Sequence, residues 1–169
     1  MHKLGFDIVK GFDAAAPDVW TYLKSADKPI LMYGTGNGAD KILDVFEKYG
    51  IRVAEIFTSD DFFRPKEFRG YTLKSYSDIC KAYPEGIVVL AFAVFRDDML
   101  TKIREISERY EVLAPEVPVF GTDYFSKGTL AEYAEQIKET YSLLADEKSK
   151  QVFADILNYR LTGKLAPLF

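Results

Sequence analysis

The feature that most constrains this chain is a glycine-rich turn between an apolar run and an amphipathic helical pattern. The apolar run covers residues 29–33, the turn covers residues 34–39, and the helical pattern begins at Asp40. A strand, a glycine turn and a helix start in this order form a phosphate-binding device. The backbone N–H groups of the turn and the positive end of the helix dipole point to one place. The turn fits G-x-G-x-x-G/A, with Ala39 as its third small residue. The sequence therefore predicts a nucleotide site at Gly34, Thr35, Gly36, Asn37, Gly38 and Ala39.

An acidic residue stands where the second predicted strand ends. Asp60 lies at about the 20-residue spacing at which such sites place the acid that binds the ribose hydroxyls. The alternative is a solvated aspartate in a turn. A carboxylate here argues against a ligand with a 2′-phosphate, because two negative charges would lie close together.

The loop that follows, Phe62–Tyr71, mixes aromatic with basic residues. One interpretation places it over a bound nucleotide, with Arg64 or Arg69 near a phosphate. The favoured interpretation is that the aromatic residues anchor a long loop to the core while the charges are solvated.

The rest of the chain alternates apolar runs with helical patterns, which predicts parallel strands joined by helical crossovers. The predicted strands are Ile30–Tyr33, Ile51–Phe57, Ile87–Val94, Glu111–Leu113 and Val117–Phe120. The predicted helices between them are Gly38–Tyr49, Ser77–Tyr83 and Asp98–Tyr110, the last capped by Asp97. From Thr129, a capping-box position, the chain is predicted helical to Thr162, with a break near Asp146 and an end at Gly163.

These elements predict an α/β fold. We expect a Rossmann-like parallel sheet of four to five strands, with helices on both faces, followed by C-terminal helices. Three parts are predicted: an N-terminal helical segment over residues 1–27, a nucleotide-binding domain over 28–125 and a helical extension over 126–169.

Composition excludes several classes of function. The chain has 169 residues, 48% of them hydrophobic, and a net charge of −4, which argues against a nucleic-acid binder. No apolar run reaches the roughly 18 residues of a membrane helix, and the N-terminus lacks a signal-peptide core, so we expect a cytoplasmic protein without a membrane partner. Cys80 and His2 are the only cysteine and the only histidine. The residue types therefore predict neither a histidine triad nor a Cys/His zinc site.

The sequence offers no complete catalytic constellation, so no catalytic or metal-binding residue is assigned. Tyrosine followed four residues later by lysine, G-x-x-x-x-G-K-[ST] and G-x-S-x-G are all missing. Class I methyltransferases also bind S-adenosylmethionine at G-x-G-x-G, but Met32 stands where they usually carry an acid. Two other hypotheses stay open. One is an NAD-binding oxidoreductase fragment, and the other is an interaction module that dimerises through an apolar stripe on the C-terminal helices.

Several segments carry a resemblance to a known family. Residues 31–38, 57–60 and 68–73 resemble the N-terminal domain found ahead of some FkbM-type methyltransferases. They are also similar to the nucleotide-sugar-binding N-terminal domain of bacterial sugar acetyltransferases. Residues 144–150 and 158–163 resemble the linker helices that lead into the FkbM-type catalytic domain.

The resemblance implies an N-terminal module of an S-adenosylmethionine-dependent methyltransferase that acts on a sugar or glycan precursor. The module's ligand would be a nucleotide sugar or NAD at the glycine turn. S-adenosylmethionine would bind only in a C-terminal methyltransferase domain, in cis and beyond Phe169. A homodimer is a further expectation.

Overall fold

The computed structural model describes residues 5–93 and 96–168. Its seven strands are β1 (Ile30–Tyr33), β2 (Glu55–Thr58), β3 (Glu67–Phe68), β4 (Tyr71–Thr72), β5 (Lys74–Ser75), β6 (Ile87–Leu90) and β7 (Glu111–Leu113). Five of them form one sheet in the order β5-β2-β1-β6-β7, and every neighbouring pair in it is parallel. The other two form an antiparallel hairpin. The predicted α/β, Rossmann-like sheet is confirmed.

Helices cover both faces of this sheet. The helices of the first two thirds of the chain are α1 (Val19–Lys24), α2 (Asn37–Tyr49), α3 (Tyr76–Ala82) and α4 (Asp97–Ser107). On one face, α1 and α2 share an apolar cluster with Met32 of β1. On the other, α3 and α4 share a cluster with Leu31 and Tyr33. Successive strand residues point to opposite faces, and all four residues of β1 are buried, so both faces of the central strand are covered.

Three helices follow the sheet: α5 (Lys127–Glu132), α6 (Ala134–Leu143) and α7 (Glu147–Thr162). The predicted break and end are confirmed, because Asp146 caps the N-terminus of α7 and Gly163, at φ 67°, ends it. These helices bury a third apolar cluster together with Phe6 and Val9. Within the described ranges, no helix is long and apolar enough to cross a bilayer.

The end of α7 covers the outer edge of the sheet. The Ala114 amide donates to the Gly163 carbonyl at 2.8 Å, and Leu113 pairs with Lys164 in an antiparallel bridge. The predicted strand Val117–Phe120 is wrong, since it would need this edge and Lys164 already occupies it. Val119 and Phe120 are 72% and 88% exposed.

Other predicted boundaries also differ from the structure. β2 begins at Glu55, because residues 51–54 form a connection in which Ile51 closes α2 through a bond from its amide to the Phe46 carbonyl. β6 ends at Leu90, and Val94 of the predicted strand lies outside the described residues. The hairpin β3–β4 and the short strand β5 fall in the segment that the sequence analysis treated as a loop.

Two predicted helix caps are wrong. Asp97 lies inside the first turn of α4, whose N-cap is Arg96. The capping box Thr129–Glu132 lies within α5, which begins earlier because the Ser126 side chain accepts from the Thr129 amide. In both cases an earlier residue supplies the N-cap, so the helix starts before the predicted position.

We expect Asp18→Ala to lower the free energy of unfolding by about 2–4 kcal/mol. Asp18 is 3% exposed, and its carboxylate accepts from the Thr21 amide, which caps α1, and from the Lys127 amide at the start of α5. Asp146→Ala is the matched control, since Asp146 is an exposed cap of one helix only, and it should lower the free energy of unfolding by clearly less. Urea denaturation measures both. Equal losses would contradict a tie between α1 and α5 through Asp18.

Candidate functional site

The glycine turn lies at the carboxyl end of β1, between β2 on one side and β6 on the other. The chain leaves β1 toward β2 through α2 and returns to the other side of β1 for β6. This is the point where the strand order reverses. In open parallel sheets, ligands bind in the crevice at such a switch point.

Gly34 and Gly36 play different parts in the turn. The Gly34 amide donates to the Phe57 carbonyl at 2.9 Å, and its φ of 113° lies in a region that favours glycine. The backbone therefore favours glycine, and a Cβ there would also displace the Phe92 ring, whose Cδ1 would stand 2.8 Å away. Gly36, by contrast, has φ −93°, and a Cβ there would meet nothing within 4 Å. The turn is therefore held at Gly34 and open at Gly36.

Gly38 sets the distance between α2 and the sheet. A Cβ on Gly38 would stand 2.5 Å from the carbonyl oxygen of Ala91, the residue that follows β6. Ala39, which the pattern assigns to close helix–strand packing, is fully buried in the core on the same side. The closest backbone approach thus occurs one residue before the predicted position.

The first turn of α2 carries unused hydrogen-bond donors. Gly36 is the N-cap and supplies no side chain to it, and the first amide bonded back to the turn is that of Asp40, which donates to the Gly36 carbonyl. In the part of the chain that the structure describes, the amides of Asn37, Gly38 and Ala39 donate to no acceptor. Three adjacent donors at the positive end of a helix dipole suit an anion.

Asp60 follows β2 as expected and has partners within the protein. Its carboxylate accepts from the amide and the hydroxyl of Ser77, at 3.0 and 2.8 Å, which ties the short 3₁₀ turn Asp60–Phe62 to α3. The bond from the Ser77 amide lowers the pKa of Asp60 below its ordinary value. A carboxylate has about four acceptor positions, so Asp60 keeps capacity for a ribose hydroxyl. The ribose role stays a prediction.

The two arginines of the loop make contacts within the protein. Arg69 forms ion pairs with Asp44 at 2.8 Å and with Asp40 at 3.7 Å, both on α2. Arg64 donates to the Phe63 carbonyl at 2.6 Å. Arg69 therefore clamps the hairpin to the helix that carries the glycine turn.

Two buried hydroxyls at the ends of β1 and β2 have no hydrogen-bond partner among the described residues. They are those of Tyr33 and Thr58, the last residues of these strands. The Tyr33 ring stacks on Phe57 at 4.8 Å and meets Phe92 edge-on, and burial raises the pKa of Tyr33. Buried hydroxyls without a partner are uncommon and costly. Both lie at the carboxyl edge of the sheet, next to the turn.

A cleft of about 260 Å³ opens beside the turn. Its walls come from the start of α2, from the residues after β6 and from residues 114–119 after β7, with Tyr159 of α7 at one side. Lys41 borders it and donates to the Gly121 carbonyl at 2.6 Å, and Glu116 borders it and pairs with Arg160 at 2.6 Å. Neither in this cleft nor elsewhere within residues 5–93 and 96–168 do three or more potential metal ligands lie together.

Sequence reasoning named Asn37 and Gly38 of this cleft and missed its other residues, among them Lys41, Phe92 and Tyr159. Lys41 had a usable signal, because it stands four residues after Asn37 and so shares its side of the helix. Phe92 continues a run already predicted as strand. Tyr159 had no sequence signal, since only the packing of α7 against the end of the sheet brings it to the cleft.

We expect Gly38→Ala to lower the free energy of unfolding by about 1–3 kcal/mol, because a methyl group there must displace the Ala91 carbonyl. Gly36→Ala is the matched control, since its methyl group meets nothing within 4 Å, and it should change stability by less than about 1 kcal/mol. Urea denaturation of the two variants checks this. If Gly38→Ala proves as stable as the control, α2 does not pack on Ala91 as described.

Comparisons of this chain with protein-family models, with curated proteins and with solved structures give no match. They therefore assign no family to it and transfer no site residue. The resemblance to the domain ahead of FkbM-type methyltransferases stays a hypothesis based on the segments quoted for it.

Proposed function

We propose that this chain binds a nucleotide through its phosphates at the first turn of α2. The observation that carries the proposal is the set of three unused amides, of Asn37, Gly38 and Ala39, at the switch point of a parallel sheet. Phosphate oxygens are strong acceptors with the charge that a helix N-terminus favours. The open space in front of Gly36 lets a phosphate approach the backbone.

The position of Asp60 supports a nucleotide over a simple phosphate. It follows β2, the strand next to the turn, and its carboxylate is the acceptor that a ribose diol would need. NAD and the UDP- and GDP-sugars carry such a diol, and a 2′-phosphate would face this negative charge. The proposal therefore names NAD or a nucleotide sugar as the ligand.

The resemblance extends this proposal to a longer protein. In it, the chain is the nucleotide-binding module of an S-adenosylmethionine-dependent methyltransferase that acts on a sugar or glycan precursor. S-adenosylmethionine would bind in a separate catalytic domain. No residue of this chain is given a catalytic role.

We expect Gly36→Asp to weaken nucleotide binding at least about tenfold while leaving the protein as stable as the original or more so. The new carboxylate would accept from the free amides of α2, because φ −93° and ψ −167° suit a capping aspartate, and it would repel phosphate. Thermal shift measures binding, since ligand at about 100 times its Kd stabilises by roughly 2.7 kcal/mol.

The panel comprises NAD, NADH, NADP, S-adenosylmethionine and UDP-, GDP- and dTDP-sugars. Gly36→Ala is the control, because it adds a methyl group without a charge. Nucleotide binding that survives Gly36→Asp unchanged would remove the glycine turn from the proposal. No shift with any member of the panel would overturn nucleotide binding.

A second candidate, an interaction module, is favoured by exposed aliphatic side chains on the C-terminal helices. Leu144, Phe153, Leu157 and Leu161 of the predicted stripe are buried or half-buried. Leu143, Val152 and Ile156 are 77%, 48% and 43% exposed. Val152 and Ile156 stand four residues apart on α7 and so share a side of it. Exposed apolar groups that cluster in this way are typical of protein–protein contacts.

If the chain dimerises through α7, we expect Val152→Lys with Ile156→Lys to make it monomeric, because two ammonium groups would enter the contact. Sedimentation velocity at increasing protein concentration measures the association. Phe120→Lys is the control, since Phe120 is also exposed but lies outside α7. An original chain that stays monomeric at the highest concentration would exclude this candidate.

A further inference from the structure

The cleft beside the glycine turn differs in character from the turn itself. Most of its lining is apolar, including Leu90, Ala91, Phe92, Pro115 and Val117. The turn offers backbone donors to an anion, whereas this cleft offers hydrocarbon and two aromatic rings, those of Phe92 and Tyr159. The two surfaces meet at Asn37 and Gly38, which belong to both. One ligand that fills both must therefore join a phosphate to an apolar group.

Few side chains in the lining of the cleft are polar. Lys41 donates to the Gly121 carbonyl, and Glu116 accepts from Arg160. Within the described ranges, the Asn37 side chain makes no hydrogen bond, and the backbone amides of Asn37 and Gly38 donate to no acceptor. A sugar ring carries hydroxyls around its rim, and each loses water on entry. The lining offers few side-chain partners for those hydroxyls, and its two aromatic rings suit a flat ring with a few polar edge atoms.

The size of the cleft also favours a single ring over a whole ligand. Its volume of about 260 Å³ lies below the range of about 300–1,000 Å³ that holds a whole small-molecule ligand. It therefore fits one part of a ligand whose other part lies on the turn. Gly38 permits this arrangement, because a side chain there would meet the Ala91 carbonyl and keep the first turn of α2 away from the floor of the cleft.

We infer that this cleft binds an aromatic heterocycle joined through phosphate to the glycine turn. The inference rests on the proposed phosphate site and narrows its ligand. Two sources supply such a ring: the second ring of a dinucleotide, or the base of a nucleotide sugar.

Two ligand pairs test the inference by isothermal titration calorimetry on the 169-residue chain. NAD and ADP-ribose differ by the nicotinamide ring, and UMP and ribose 5-phosphate differ by the uracil base. We expect the ring-bearing member of at least one pair to bind about tenfold tighter, with a more negative heat-capacity change. A difference in the first pair identifies the second ring of a dinucleotide, and a difference in the second pair identifies the base; both support the inference.

Filling the cleft provides the matched variant. Ala93 lines the cleft and is exposed, so Ala93→Phe places a ring in it without a change in the core. We expect this variant to abolish the preference for the ligand with the additional heterocycle. Its affinity for the other member of the pair should be unchanged. Ala82→Phe, at an exposed position outside the cleft, should keep both affinities. If Ala93→Phe fails to fold in urea denaturation, Val119→Trp replaces it, at a lining residue that is 72% exposed.

Failure of the inference differs from failure of the proposed function. Ligands that bind in a Gly36-dependent way, but equally well with and without the ring, would overturn the inference alone. A ring preference that survives a folded cleft-filling variant would do the same. If no member of either pair binds, or if Gly36→Asp leaves all affinities unchanged, the phosphate site itself is wrong and the inference falls with it.

Discussion

The rest of the structure depends on the close backbone contact between Gly38 and the Ala91 carbonyl. A side chain at this point would stand 2.5 Å from that oxygen, so only glycine lets α2 lie this near the end of β6. The free amides of α2 open at the carboxyl edge of the sheet, where parallel strands leave room for a ligand. The floor of the neighbouring cleft follows from the same contact.

The walls of the site come from distant parts of the chain. Tyr159 reaches the cleft because α7 ends on the edge of the sheet, where Gly163 accepts from the Ala114 amide. The indole of Trp20 is fully buried and donates to the Phe125 carbonyl at 2.8 Å, which holds the start of the C-terminal helices. The N-terminal segment and the C-terminal helices thus support the sheet and also shape its candidate site.

The electrostatics of the site favour recognition by the backbone. Arg69 is paired with two carboxylates of α2, and Lys41 is bound to a backbone carbonyl. The charge next to the turn is therefore nearly balanced, and the donors left for an anion are peptide amides. Such donors are fixed in direction and lose little conformational freedom on binding, so they select a ligand by shape as well as by charge.

The sequence by itself determined the α/β class, the strand β1, the glycine turn and the acid after β2. These features are local, because burial on both faces forces apolar runs and a tight turn forces glycine. The sequence did not determine the outer strands. Val117–Phe120 forms no strand because Lys164 occupies the place beside β7. The hairpin β3–β4 has too few residues for a clear pattern. Only the tertiary structure brought Phe92, Lys41 and Tyr159 to one cleft. Contacts between residues far apart in the chain depend on how whole elements pack. Side-chain periodicity shows which face of an element is buried, but it does not show which other element covers that face.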